Sequence, residues 1–122
     1  MKRGAGPLLI GCITGLALLT VARQGQAQIT LFSGRQHVST AWEVCVQAHH
    51  AVQAAEVLFL AFEQDADGTL FIDGQVATTF TGQHYVTYSG SLGPGTHLVK
   101  LTVKEPATLL FMRGYEGVEL CP

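Results

Sequence analysis

Turn-forming residues interrupt this chain about every ten residues from Trp42 to the C-terminus, and the stretches between them alternate apolar with polar side chains or run apolar for a few residues. A chain punctuated in this way cannot hold helices of ordinary length. Trp42, Val44 and Val46 alternate with Glu43, Cys45 and Gln47, the period of two that marks a half-buried strand. Val57 to Phe62 is a run of six apolar residues, short enough for a strand covered on both faces, and it is the expected central strand. Asp65, Asp67 and Gly68 break the pattern before Thr69 to Asp73 resumes it, which predicts a hairpin turning at Asp67-Gly68. Asp73-Gly74 predicts a second turn.

Beyond that turn, Val76 to Thr81 and His84 to Ser91 are rich in Thr, Tyr, Phe and Val, with Gly82-Gln83 as the expected break between two strands. Gly93-Pro94-Gly95 can continue neither a helix nor a central strand. From His97 the alternation is clean: His97, Val99, Leu101 and Val103 share one face, while Leu98, Lys100, Thr102 and Lys104 form a face suited to solvent or to a sheet edge. Pro106 ends that strand, and Thr108 to Met112 begins a last apolar stretch. Only Ala48 to Glu56 invites a helix, of one or two turns. About seven or eight short strands predict an all-β fold, an antiparallel β-sandwich of jelly-roll or immunoglobulin-like kind.

The N-terminal 27 residues read differently. Lys2 and Arg3 precede an apolar stretch of 15 residues from Leu8 to Ala22, and Gly25-Gln26-Ala27 offers small side chains where a signal peptidase reads. We expect a secretory signal cut after Ala27 and one domain from Gln28 to Pro122. A retained anchor is the first alternative, although the stretch is shorter than the roughly 20 residues a spanning helix needs. Lipidation at Cys12, which follows Leu9-Ile10-Gly11, is the second.

Cleavage would leave four basic residues (Arg35, Lys100, Lys104 and Arg113) against nine acidic ones, moving the formal net charge from −2 to −5. So acidic a domain is a poor partner for nucleic acid, which needs clustered Lys and Arg, and stable membrane insertion after processing is not expected. Secreted or periplasmic localisation would also place Cys45 and Cys121, the remaining cysteines, in an oxidising compartment, which predicts one disulfide between them.

In Phe59 to Glu105 an apolar strand, the acidic turn Asp65-Ala66-Asp67-Gly68, the strand Leu70-Phe71-Ile72-Asp73-Gly74, a Thr/Tyr-rich region and Ser91-Leu92-Gly93-Pro94-Gly95-Thr96-His97 follow one another. This order resembles protective-antigen-type extracellular β-sandwich modules, which occur in bacterial toxins, glycosidases and adhesins. Several of those modules bind carbohydrate, and the resemblance implies a sandwich with that role. In the sugar-binding members two adjacent aspartates hold a calcium ion that grips sugar hydroxyls. Here Ala66 separates Asp65 from Asp67, and Gly68 to Gly74 is one residue shorter than the family's spacing.

Glu63, Asp65, Asp67 and Asp73 are the one dense acidic group, and Glu63-x-Asp65-x-Asp67-Gly68 imitates the opening of a calcium loop. Its twelfth position falls on Gly74 where a bidentate Glu is required, so a plain turn competes with a calcium site at Asp65 and Asp67. His49 and His50 are neighbours that an extended chain points to opposite faces, which suits a polar loop better than a shared metal. His37, His84 and His97 stand alone. No serine lies in a nucleophile elbow. Tyr85, Tyr88, Phe80 and Trp42 could each stack on a sugar, anchor a partner or fill the core, and the alternation around Trp42 assigns it to the core. Tyr85, Tyr88 and Asp73 are the ligand-binding candidates. The expected function is that of a secreted, non-catalytic module binding carbohydrate or a cell-surface protein through loops or one sheet face. The alternative is a small secreted enzyme or inhibitor using the acidic segment from Glu63 to Asp73.

Overall fold

A computed structural model describes residues 28–122. The expected signal segment and Cys12 lie outside the described residues. Seven strands fill nearly all of the described chain: β1 (Gln28–Val38), β2 (Ala41–Ala48), β3 (Val52–Ile72), β4 (Gln75–Leu92), β5 (Gly95–Val103), β6 (Ala107–Tyr115) and β7 (Val118–Leu120). Every pairing is antiparallel. Among the described residues no helix is long and apolar enough to cross a membrane.

The architecture follows from β3, which is too long to belong to one flat layer. Its residues Leu58 to Phe62 pair with β6, whereas Gly68 to Ile72 pair with β5. β4 runs beside both halves. One layer is therefore β1–β6–β3–β4 and the other β7–β2–β5–β3–β4, joined through the shared, bent β3–β4 hairpin. The fold is an antiparallel β-sandwich. Val38, Leu58, Leu60, Val86, Leu109 and Met112 from the first layer meet Val46, Leu70, Val99 and Leu101 from the second in one core.

Three local expectations are corrected, two of them at the bend. Between Ala61 and Ala66, β3 advances five positions while its partner β4 advances two, from Tyr85 to Gln83. Glu63, Gln64 and Asp65 consequently bulge outward, exposed, and the strand continues instead of turning at Asp67-Gly68. Gly68 is needed for close approach: a Cβ there would lie 2.0 Å from the Thr102 carbonyl oxygen of β5. Gly82 likewise marks a bulge and not a break, with φ at +60°, so the two strands expected on either side of it are one. The region from Ala48 to Glu56 forms no helix, because Val52, Gln53 and Ala54 pair with Leu92, Ser91 and Gly90.

Other expectations match the coordinates. Asp73 and Gly74 adopt φ of +54° and +82°, and Ile72 lies opposite Gln75, as a two-residue mirror-image turn requires. Strand β5 buries Val99, Leu101 and Val103 and turns Leu98 to solvent, and Lys104 just beyond it is exposed as well. It is an inner strand between β3 and β2, however, not an edge.

Cys45 of β2 and Cys121 are joined by a disulfide with Cα atoms 5.4 Å apart, and the Cys121 amide donates to the Cys45 carbonyl. The bridge spans 76 residues, so it removes a large loop from the unfolded ensemble. Replacing both cysteines by serine should cost about 4 kcal/mol in urea unfolding by the loop-entropy relation. An unchanged unfolding midpoint would refute a structural role for the bridge.

Candidate functional site

Alternation in the first layer sends Leu58, Leu60, Val86 and Met112 into the core and leaves the residues between them on the outer face. Two rows cross that face. One is Thr87–Phe59–Arg113–Thr30, and the other is Tyr85–Ala61–Phe111–Ser33, each running over β4, β3, β6 and β1. Ala61 is the small residue between two rings. Tyr85 and Phe111 both lean across it towards Phe59, with ring centres 5.7 Å and 5.9 Å away.

The Tyr85 ring is nearly parallel to Phe59, at 15°, and 62% of the residue is exposed. Arg113 lays its guanidinium 4.7 Å from the centre of Phe111 and 5.9 Å from that of Phe59. Stacking of this kind orients the cation while leaving its N–H donors outward. Among the described residues no carboxylate lies within ion-pair distance of Arg113. The outcome is an aromatic platform with one available cation and the hydroxyls of Thr87, Thr30 and Ser33.

The acidic group of the bulge is already engaged. Arg35 of β1 holds both Glu63 oxygens, at 2.5 Å and 2.8 Å. His84 faces Asp65 at 3.2 Å, and the Gly82 amide donates to Asp67 at 2.6 Å. Asp65, Asp67 and Glu105 line an open depression beside Pro106. Yet among the described residues no group of three or more His, Cys, Asp or Glu side chains is placed to hold a metal. His49 pairs with Glu119, whereas the His50 ring lies against Gly117, so the two imidazoles serve different contacts.

The three ligand-binding candidates are not brought together. Tyr85 lies on the platform. Tyr88 points to the opposite side of β4, packs against the core and donates its hydroxyl to the Ser91 carbonyl at 2.8 Å. Asp73 sits at the far end of the hairpin. Phe80 packs on Phe62 in the core and Trp42 is half-buried beside Phe32. Phe59, Phe111 and Arg113 are missing from the sequence-based candidates. Outward parity relative to Leu58, Leu60 and Met112 was the signal available for them.

Asp73 ties the hairpin turn to the β4–β5 connection. One of its oxygens accepts from the Leu98 amide at 2.9 Å, the other from His97 Nδ1 at 2.6 Å, and His97 Nε2 donates to the Gly93 carbonyl at 2.7 Å. Both partners of the imidazole are acceptors, so only the doubly protonated ring satisfies them. The Asp73 contact, foremost, and the Gly93 carbonyl hold the His97 pKa above its ordinary value against the opposing effect of burial. The His97 hydrogen bond, then the Leu98 amide, holds Asp73 below the usual carboxylate range.

No family model matches the chain, and no curated protein matches its sequence. Solved structures are similar in fold. A family 35 carbohydrate-binding module from an environmental isolate superposes with a TM-score of 0.55 at 14% identity, covering 69% of this chain and 74% of that one. A second family 35 module, described in complex with a glucuronic acid-containing disaccharide, gives 0.50 at 14% identity over 69% and 73%. A family two carbohydrate esterase from Clostridium thermocellum, in complex with cellohexaose, gives 0.50 at 13% identity over 77% of this chain and only 33% of the enzyme. At such identities the likeness establishes the sandwich fold alone.

The Asp73–His97 tie predicts a pH-dependent stability. Its histidine contribution is complete below the ordinary imidazole value of about 6.5 and is lost as pH rises through the raised value. Its aspartate contribution is present above about pH 4 and is lost as pH falls through the depressed value. Urea unfolding should therefore show a loss on the order of 1 kcal/mol on the alkaline side, screening included, that His97→Gln flattens. An identical alkaline slope in the variant would remove His97 as its source.

Proposed function

We propose that this chain is an exported, non-catalytic module that binds carbohydrate on the outer face of the β1–β6–β3–β4 layer. The observation that carries the reading is Tyr85, an aromatic ring largely open to solvent and held parallel to Phe59 by its neighbours. A ring already stacked loses little freedom on binding, and its open face suits the C–H face of a pyranose. Arg113 and the hydroxyls around it offer donors and acceptors to sugar hydroxyls. A platform spread over four strands of one sheet face favours a length of polysaccharide lying across it over an enclosed monosaccharide. Secretion or a periplasmic location fits the disulfide and the N-terminal signal pattern.

A second reading has its own support. Tyr, Phe and Arg grouped on one face are also the residues that anchor protein interfaces, so a cell-surface protein could cover the same platform. The two are separated by a glycan array followed by calorimetry on the best ligand. Tyr85→Ala and Arg113→Ala should each weaken carbohydrate binding about tenfold, equivalent to about 1.4 kcal/mol, and Tyr88→Phe should leave it unchanged. Silence across the array, or full binding by Tyr85→Ala, would overturn the carbohydrate reading on this face.

A further inference from the structure

We propose that Asp73-Gly74 is a site of covalent backbone modification, where aspartate isomerises through a succinimide, and that the contacts of its carboxylate with His97 and Leu98 hold the reaction back. Aspartate followed by glycine is the dipeptide in which this rearrangement meets least resistance, because no side chain shields the glycine nitrogen. The chain has three aspartates, Asp65, Asp67 and Asp73, and no asparagine. Asp67 and Asp73 precede glycine, and the fold treats the two differently.

Asp67-Gly68 is locked into the sheet. Gly68 lies in β3 between Phe80 of β4 and Val103 of β5, and a Cβ there would run into the Thr102 carbonyl. The Asp67 carbonyl accepts from the Lys104 amide at 3.0 Å, and its side chain accepts from the Gly82 amide at 2.6 Å. Asp73-Gly74 is open by comparison. Both residues are exposed, they form the two-residue turn between β3 and β4, and a Cβ added at Gly74 would meet nothing within 4 Å. A turn at the end of a hairpin opens without unfolding the layers behind it.

What restrains Asp73 is the grip on its carboxylate. One oxygen accepts from the Leu98 amide and the other from His97. For the rearrangement the Gly74 nitrogen must bond to Cγ of Asp73, so the carboxyl group has to swing off these partners. The same contacts, that of His97 foremost, keep the carboxyl ionised, and an ionised carboxyl is the poorer electrophile. In the step itself the N–Cγ bond forms and one Cγ–O bond breaks. The departing oxygen leaves as water, taking the proton of the Gly74 nitrogen and the acid proton. Water then opens the five-membered imide. Opening at Cγ restores aspartate, whereas opening at the main-chain carbonyl of Asp73 yields isoaspartate, whose backbone is one carbon longer. No oxidant or reductant is needed. Isoaspartate carries its carboxylate directly on Cα and lengthens the turn, so the link to the β4–β5 connection is lost.

Prolonged incubation of the folded protein, followed by isoaspartate-specific carboxyl methylation and peptide mapping, tests this. Isoaspartate should accumulate at Asp73 and not at Asp67, and His97→Gln should raise the rate about fivefold, the effect of losing one exposed charge-assisted contact. Asp73→Glu, which cannot close a five-membered ring, should abolish the signal. Should His97→Gln fail to fold, the unaltered chain carries the test: in concentrated urea Asp67 and Asp73 should convert at similar rates, and Asp73 should convert faster there than in the folded protein. Isoaspartate arising as fast at Asp67 as at Asp73 in the folded chain overturns the proposal. So does an equal rate at Asp73 in the folded protein with and without His97, or an Asp73 that converts no faster in urea than when folded.

Discussion

A single strand serving two layers is the constraint on which this structure rests. β3 must leave β6 after Phe62 and meet β5 from Gly68, and the backbone has only a few residues in which to change direction. The three-residue bulge supplies the change, and Gly68 supplies the clearance at the Thr102 carbonyl that no side chain could allow. With the corner in place, Leu58 and Leu60 can enter the core from one layer and Leu70 from the other. A layer switch made by a bulge is the usual way a sheet turns a corner while keeping its backbone hydrogen-bonded.

The corner also explains where polar and apolar chemistry lie outside the core. Bulged residues cannot be buried, so Glu63 and Asp65 emerge there and are braced by Arg35 from β1 and His84 from β4. These contacts are exposed and contribute little to stability individually. Their effect is to take up the acidic side chains at one end of the first layer. Beside them the outer face is left to Tyr85, Phe59, Phe111 and Arg113, an aromatic surface where an acidic domain would otherwise present carboxylates.

How much of this was legible in the sequence varies with the physical signal. The apolar run from Val57 to Phe62, the alternation from His97 to Val103 and the Asp73-Gly74 turn each gave an element that the structure contains, although the second is an inner strand and not an edge. Gly68 and Gly82 had several readings, since glycine marks a turn, a bulge or a close approach with equal force, and only the partner strand decides among them. The site suffered from the same ambiguity. Alternation sets Tyr85 and Tyr88, three residues apart, on opposite faces, but bulges on either side reset the alternation, so the sequence could not say which of the two faces outward and which packs against the core. Phe59 was hidden within its apolar run, and Phe111 and Arg113 come from a strand that joins the platform only through the pairing of β6 with β3.

The central claim is that one sheet face, and not the turns at the ends of the sandwich, meets the ligand. Chemical-shift mapping of the protein during titration with its best array ligand tests it most directly. The account predicts that perturbations concentrate on Phe59, Tyr85, Thr87, Phe111 and Arg113. Shifts gathered instead around Asp73 and His97, or around Asp65, Asp67 and Glu105, would contradict it.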